Sequence, residues 1–575
     1  MATATPPTFT ELNEHLTEVL SNPSTSILNV RLLETFTAQL PEQPTTHLTG
    51  TLVPLLAKVL AVVNEDPTPI TTLLQHLLTT TTFTELLAFA SQPQTLQLLS
   101  AASPAVRILG LSILEKAAAA PSEVGIVASW SDVVQKLVEV LLCDSDTGVA
   151  SRAADVLVKL LAADLGVGLL WRRIFEDEGV YGTFFRLCSW KGEELPEGKK
   201  AKTEAQGRLL QVVARMAALD FSAVSTSAFP AIDKKYAASE EACGGLLEFA
   251  ARWAVDADGD VMMHMVLLDF YTLLLQSTKA LDYLETSGLH GATAGRYIAP
   301  AAYSDDIIDQ QLLESKAAEY LATYARLHPT KLFDSPAPKI PDGRNPKRRR
   351  MSLGTGPPPP AKTLIDVTLE RIEQTLKDTP QHPHTPSMDI LMAMPPSVLV
   401  TDLAKKVVAM IPLSPPQTAY IDALTAVITK QGSSSEVYDN YYATHTDMWQ
   451  KINSYVSTLA LRDVVLACMN FIEKLLVAQD STGTYWGAKE IVNAPNVMAF
   501  LITPPQRFSG ARDPMSTAFV VATRKLEVLE TVLRVLGRAG DEVPGAEGWK
   551  VVVQERLKVG LWGNGAGGEV ATMEM

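Results

Sequence analysis

Two apolar runs joined by a short polar turn make up residues 141–161, LLCDSDTGVASRAADVLVKLL. Apolar residues recur at helical spacing on both sides of the turn: Val134, Leu137, Val138 and Leu141 before it, and Val149, Ala153, Val156, Leu157 and Leu160 after it. This spacing places them on one face of a helix. Arg152 and Asp155 fall on the opposite face of the second helix. The stretch therefore predicts an antiparallel pair of amphipathic helices.

The same pattern occurs elsewhere in the chain, with a β-branched residue opening the second helix. Val106 lies 43 residues before Val149, and Val261 lies 112 residues after it. A spacing near forty residues is typical of solenoids built from two or three helices per repeat. Unrelated helical hairpins would look similar, but one pair alone cannot bury enough apolar surface, whereas stacked pairs form a continuous core. The sequence therefore predicts an all-α, armadillo/HEAT-like helical-repeat solenoid.

Segments rich in proline, glycine and charge interrupt this helical pattern. The polar stretch at 190–207 is predicted to be a loop. The predicted organisation is N-terminal helical repeats over 1–333, a basic, Pro/Gly-rich disordered linker over 334–362, a short helix and Pro-rich connection over 363–396, C-terminal helical repeats over 397–562, and a flexible tail over 563–575.

Composition and charge narrow the classes of partner. Of the 575 residues, 47% are hydrophobic and only 7% aromatic, which fits helices better than a sheet. A net charge of −15 repels phosphate backbones and favours basic partner surfaces. Neither a signal peptide nor a membrane span is evident. We therefore expect a protein of the cytoplasm and nucleus, monomeric on its own, with protein partners and neither nucleic acid nor membrane as partner.

Residues with catalytic or metal-binding chemistry are scattered. The four cysteines lie dozens of residues apart: Cys143, Cys188, Cys243 and Cys468. His382 and His384 form a pair in the Pro-rich connection without a third ligand, which favours a solvated linker. No serine-hydrolase, zinc-protease, kinase or P-loop motif occurs, and no helix follows the glycine-rich stretch at 563–568. We expect no metal, no cofactor and no catalytic residue; an enzyme with an unrecognised site is the alternative of a different class.

A basic cluster stands out inside the predicted linker. Lys347, Arg348, Arg349 and Arg350 follow one another in NPKRRRMS, which predicts a nuclear import signal; the alternative is a basic run that keeps the linker solvated. Ser352 follows this run at a spacing that suits a basophilic kinase. A phosphate there would add about two negative charges and mask the signal.

Several segments resemble the 26S proteasome non-ATPase regulatory subunit 5 family. Within residues 96–187 the similar stretches are LLSAASPAVRILGLSILEK, LVEVLLCDSDTGVASRAADVLVKLL and LLWRRIFEDEGVYGTFFRL. In the C-terminal part, DVVLACMNFIEKLLVA is followed by Trp486 in YWGAKEIV, then NAPNVMAFLI, Arg512, ATRKLEVLETVL and RLKVGLW. The chain departs from the family in its basic linker and in lacking Gly-Phe after Pro495. Together the similar stretches cover about a third of the sequence.

The resemblance implies an armadillo/HEAT-type solenoid without catalytic activity. Such a protein holds the C-terminal domain of one proteasome ATPase subunit, with its neighbouring base subunits, while the regulatory-particle base assembles. If the second helix of each pair faces the partner, the predicted contacts are Arg107, Arg152, Asp155 and His264; the alternative is that each is an ordinary solvated position. An armadillo-type nuclear transport or scaffold adaptor is the alternative function.

Overall fold

The computed structural model describes residues 9–22, 26–40, 46–63, 65–190, 198–237, 244–257, 259–339, 362–412, 417–430, 462–479, 483–493, 495–503 and 513–562. Within these ranges the regular structure is helical, apart from an isolated antiparallel bridge between Pro336 and Thr363. The prediction of an all-α chain is confirmed. None of the helices described here is both long enough and apolar enough to cross a membrane.

The chain forms two compact units, Met1–Ser287 and Gly288–Met575. The helices of the first unit are α1 Phe9–Ser21, α2 Val30–Gln39, α3 Thr46–Val62, α4 Thr68–Leu77, α5 Phe83–Leu86, α6 Gln92–Leu99, α7 Pro104–Lys116, α8 Pro121–Ser129, α9 Ser131–Cys143, α10 Thr147–Ala163, α11 Leu169–Phe175, α12 Glu178–Cys188, α13 Lys199–Leu219, α14 Phe221–Ser225, α15 Pro230–Ala237, α16 Gly245–Glu248, α17 Val261–Leu274 and α18 Thr278–Thr286. A π-helical turn, Phe249–Trp253, extends α16.

Helices of the first unit pack in three rows. In the long-helix row, α4, α7, α10, α13 and α17 each pack against the next. A second row is formed by α6, α9, α12 and α15, and a third by α8, α11, α14 and α16. Each repeat thus contributes one helix to each row, and the apolar core lies between neighbouring repeats. This packing confirms the predicted helical-repeat solenoid.

The second unit repeats this row-like packing. Its helices are α19 Leu289–Ile298, α20 Ile307–Leu327, α21 Pro329–Asp334, α22 Leu364–Asp378, α23 Thr385–Ala393, α24 Pro396–Leu399, α25 Asp402–Ala409, α26 Thr418–Ile428, α27 Arg462–Leu476, α28 Trp486–Asn493, α29 Pro495–Ile502, α30 Thr517–Ala539 and α31 Ala546–Lys558. A row of α20, α23, α26, α27 and α30 packs in sequence.

The division between the two units differs from the one that the sequence suggests. The sequence places it in the 334–362 linker, whereas the contacts divide the chain after Ser287. The reason is that α20, before the linker, packs closely against α23, after it. Helices on both sides of the linker therefore share one core. Residues 340–361 of the linker itself lie outside the described residues.

The polar turn at residues 144–146 is a joint between two stacked helices. Asp146 caps α10, since its Oδ1 accepts a hydrogen bond from the Val149 N–H at 3.0 Å. Asp144 Oδ1 in turn accepts from the Asp146 N–H at 2.9 Å. The apolar face of α10 is buried, with Val149 at 0% exposure. The predicted helix pair is confirmed.

The equivalence between Val149 and Val261 is shifted by two residues. Asp260 caps α17 through hydrogen bonds from the Met262 and Met263 N–H groups. Val149 is the third residue of α10, and the third residue of α17 is Met263, which is 8% exposed. Because Val261 opens the helix, it precedes the buried position. In α17 the buried third position is therefore not marked by a β-branched residue, whereas α10 and α17 share an aspartate cap.

Part of the predicted loop at 190–207 is helical. Helix α13 begins at Lys199. Lys202 is 2% exposed, with its ammonium 5.1 Å from the centre of the Trp190 ring, and Gln206 Nε2 donates to the Cys188 carbonyl at 2.9 Å. Both long polar side chains are thus buried against α12 and its end, with Gln206 at 0% exposure. A polar sequence pattern cannot distinguish such a helix from a loop.

His384 lies in folded structure rather than in a solvated linker. Its Nδ1 is 2.8 Å from the Ser387 Oγ, and the Ser387 Oγ is also 2.8 Å from the Tyr297 hydroxyl. Ser387 is 0% exposed, and burial lowers the pKa of His384 below its ordinary value. This small polar network anchors α23 to α19 in the second unit. Among the described residues, no group of three His, Cys, Asp or Glu side chains could hold a metal ion.

Candidate protein-binding surface

Arg107 joins one repeat to the next. From α7, its guanidinium donates to the carbonyls of Ala101 and Ala102 at 2.6 and 2.8 Å. It also pairs with Asp144, with Nε 2.7 Å from the Oδ2 atom. The two side chains are only 12% and 5% exposed. The geometry thus assigns Arg107 to the joint between repeats, where little of its side chain is left for a partner.

Arg208 reaches the same joint from α13. Its Nη1 donates to the carbonyls of Leu142 and Asp144 at 3.0 and 2.8 Å. These carbonyls lie at the C-terminal end of α9, where backbone acceptors have no partner within the helix and the helix dipole favours a cation. Arg107 and Arg208 therefore hold the turn at 144–146 from two neighbouring repeats.

A row of half-exposed charges crosses the long-helix row. Glu115 on α7 pairs with Arg152 and Lys159 on α10, with the Lys159 Nζ 2.5 Å from the Glu115 Oε1. Asp155 on α10 pairs with Arg215 on α13, at 2.9 Å between Oδ1 and Nη1. We call these five residues the charged strip. Their side chains are between 22% and 54% exposed.

The strip contains two of the predicted contacts and adds three. Arg152 and Asp155 lie together on it, as the helical spacing predicts, but each is already paired with a charge on a neighbouring repeat. Glu115, Lys159 and Arg215 were not predicted from the sequence. For Glu115 a spacing signal existed, because the pairs Arg107 with Asp144 and Arg152 with Glu115 are both 37 residues apart, close to one repeat.

A cavity of about 620 Å³ adjoins the strip. Its floor is apolar, with Leu78, Phe83, Leu109 and Ile113, and its rim carries the charged residues Glu115, Lys116, Glu123 and Arg152. The ammonium group of Lys116 donates to the Thr79 carbonyl at 3.0 Å, and burial lowers the pKa of this lysine. An apolar floor beneath a rim of both charge signs suits a protruding side chain of a protein partner.

His264, the remaining predicted contact, does not belong to the strip. His264 is on α17 and only 9% exposed, so little of its ring faces solvent, whereas its neighbour Met262 is 60% exposed. The nuclear-signal residues Lys347, Arg348, Arg349 and Arg350, and the phosphorylation candidate Ser352, lie outside the described residues. Their roles stay predictions.

The packing defines the chain as an all-α helical-repeat protein. No protein-family model and no curated protein matches it. Among solved structures, it is similar to the Kap95:Nup1 complex, with 12% identity and a TM-score of 0.49 over 95% of this chain and 67% of that chain. It is also similar to Kap121p bound to Nup53p, with 10% identity and a TM-score of 0.46 over 96% of this chain. An engineered protein matches over 90% of this chain and 99% of that chain, with 12% identity and a TM-score of 0.35.

The chain spans about half the length of the Kap121p chains that it matches, 54% for the complex with Nup53p. The assignment to the helical-repeat class rests on the packing of the chain's own helices, and no function is transferred from these structures.

Proposed function

We propose that the chain is a non-enzymatic chaperone for assembly of the 26S proteasome regulatory-particle base. In this proposal it binds the C-terminal domain of a proteasome ATPase subunit, next to neighbouring base subunits, through the long-helix row of the first unit. Two observations support the proposal. Residues 96–187, which carry the family resemblance, contain α7 and α10, and the charged strip runs across these two helices to α13.

The single observation that carries the proposal is the arrangement of charges on the strip. Both signs alternate across three stacked helices, and each pair is partly exposed. An exposed ion pair contributes only about 0.2–1 kcal/mol to stability. A partner that offers its own charges can therefore exchange with these pairs at little cost to the fold, and the alternating pattern would fix its register.

The mechanism that follows is steric and electrostatic. A partner domain seated on the strip and the adjoining cavity would be covered on one face, which would delay its docking onto other proteasome subunits. Release requires no chemical step, since a later subunit that competes for the same charges would suffice. The predicted location in cytoplasm and nucleus belongs to the same proposal.

A titration of the purified full chain against the purified C-terminal domain of each proteasome ATPase subunit tests this proposal. We expect one domain to bind, and the double variant Arg152→Glu, Asp155→Arg to weaken its Kd by about tenfold or more, which corresponds to about 1.4 kcal/mol. Glu547→Lys is the matched control, because Glu547 is a paired surface acid on α31 of the second unit.

The outcomes separate the parts of the proposal. If the double variant binds the ATPase domain with unchanged affinity, the charged strip is not the interface. Absence of binding to every ATPase domain, with the fold intact by circular dichroism, would contradict the chaperone function itself.

A further inference from the structure

The second row of the first unit is interrupted near the N-terminus. Helix α6 packs against α9 on one side, and α3 packs against α1 and α4. In the part of the chain described, α3 and α6 do not pack closely against each other. A cavity of about 390 Å³ lies between them, with a floor formed by α4 and α7. We call it the α3–α6 groove.

The lining of the groove is almost entirely apolar. Val53, Ala57, Leu60 and Ala61 form the α3 wall, and Leu98 belongs to the α6 wall. No charged side chain lines it, and the polar lining residues of α6 are glutamines. Phe89, at one end, is 36% exposed. An apolar groove of this kind, open to solvent, is a recognised feature of protein-binding sites.

The geometry of the walls indicates a helix as the occupant. Each wall is a helix, and the floor is a pair of stacked helices, so an incoming helix would lie between α3 and α6. Ala57 and Ala61 are exposed and one turn apart, which allows a helix backbone to approach α3 closely. Amphipathic helices bind such grooves through apolar residues at i, i+3, i+4 and i+7.

The charge beside the groove restricts the partner further. Lys58 is exposed, next to Ala57 on α3, and it forms no ion pair with the residues that the structure describes. The α6 wall contributes no charge of its own. A helix with an acidic residue on the flank that faces α3 would complement Lys58.

We propose that the α3–α6 groove binds an amphipathic helix of a partner protein, with an apolar stripe toward the groove and an acidic residue toward Lys58. None of the five residues of the charged strip lines this groove, although the groove shares Leu78, Leu109 and Ile113 with the cavity beside the strip. The proposal does not depend on the identity of the proteasome partner. It provides a second point of attachment in the first unit.

A designed peptide tests the site directly. The probe is a fluorescein-labelled amphipathic helix of about eighteen residues, or five turns, with leucine at the stripe positions, glutamate on one flank and glutamine elsewhere. Its control has the same composition with the leucines scattered. We expect saturable binding to the full chain by fluorescence anisotropy for the probe, and none for the control peptide.

Variants locate the binding. Ala57→Glu and Ala61→Glu place a carboxylate on the groove wall at exposed positions, so the fold is retained while binding weakens about tenfold or more. Val62→Glu is the matched control, since Val62 is 37% exposed on the same helix but does not line the groove. Lys58→Glu should weaken binding of the acidic probe and restore it for a probe with lysine on the flank.

Three results would overturn the inference. One is the absence of saturable binding to the unmodified chain. Another is equal binding by the Ala57→Glu and Val62→Glu variants. The third is a concentration-dependent dimer that Ala57→Glu abolishes, which would assign the groove to a second copy of the chain. Binding of the ATPase domain should persist in Ala57→Glu, so failure here is distinguishable from failure of the proposed function.

Discussion

At the scale of single residues, cations that are partly or fully buried donate hydrogen bonds to the carbonyl ends of helices. Arg208 does so at the end of α9, and Lys430 donates to the Met392 and Met394 carbonyls at the end of α23. Lys525 on α30 repeats the arrangement at the end of α29, with the carbonyls of Phe500 and Thr503 at 2.8 and 3.0 Å. These side chains satisfy acceptors that the helix leaves unpaired.

Lys525 makes the stability of the chain depend on pH. It is 1% exposed, and burial lowers its pKa from 10.5 to about 7. Above about pH 7 the folded chain holds fewer protons at this position than the unfolded chain, so the free energy of unfolding rises with pH up to about 10. The slope is at most about 1.4 kcal/mol per pH unit.

We expect Lys525→Met to remove this contribution to the slope. Urea unfolding of both proteins between about pH 7 and 9 measures it: the difference in the free energy of unfolding between wild type and variant should widen in favour of wild type as the pH rises. Parallel pH curves for the two proteins would show that the ammonium does not titrate in this range.

Only some residues of the candidate site could be predicted from the sequence. Helical spacing placed Arg152 and Asp155 on one face, and they share the strip. It could not show that Glu115 and Arg215 would meet them, because such pairs form between repeats and depend on how the helices stack. Nor could it assign Arg107 to backbone carbonyls, since these acceptors carry no sequence signal.

At the scale of helices, apolar periodicity was a sufficient guide where one face is clearly buried. The buried residues of α9 and α10 follow this periodicity closely, and the polar turn lies between the two helices as predicted. It failed at α13, whose first turns are polar in sequence although Lys202 and Gln206 are buried, at 2% and 0% exposure. It also missed α23, since the prolines before it mark the start of a helix as readily as a connection.

Gly487 shows a close approach between two helices of the second unit. An added Cβ there would overlap the backbone carbonyl of Leu475, at the end of α27. Gly487→Ala should therefore destabilise the chain by about 1–3 kcal/mol, since neither backbone can give way cheaply. At Gly537 in α30 an added Cβ would meet no neighbouring atom within 4 Å, so Gly537→Ala should stabilise the chain by up to about 1 kcal/mol through helix propensity.

Urea denaturation of the two alanine variants measures these opposite effects. Equal and small shifts for both would indicate that α27 and α28 do not make the close contact that the structure describes.

At the scale of the whole molecule, the helical class follows from composition and period, whereas the division into units does not. The prolines and basic residues before α22 look like a boundary, yet α20 and α23 pack across it. Which elements share a core is decided by packing between residues far apart in sequence, and a single sequence does not contain that information. The net charge of −15 likewise indicates a basic partner surface without identifying the partner.

Affinity purification of the full chain from cells under native conditions is the decisive test of the proposed chaperone function. We expect proteasome ATPase subunits to be recovered with the chain while core-particle subunits are absent, and we expect the Arg152→Glu, Asp155→Arg variant to recover no ATPase subunits. Recovery of no proteasome ATPase, or of complete proteasomes in the same proportion as ATPases, would contradict it.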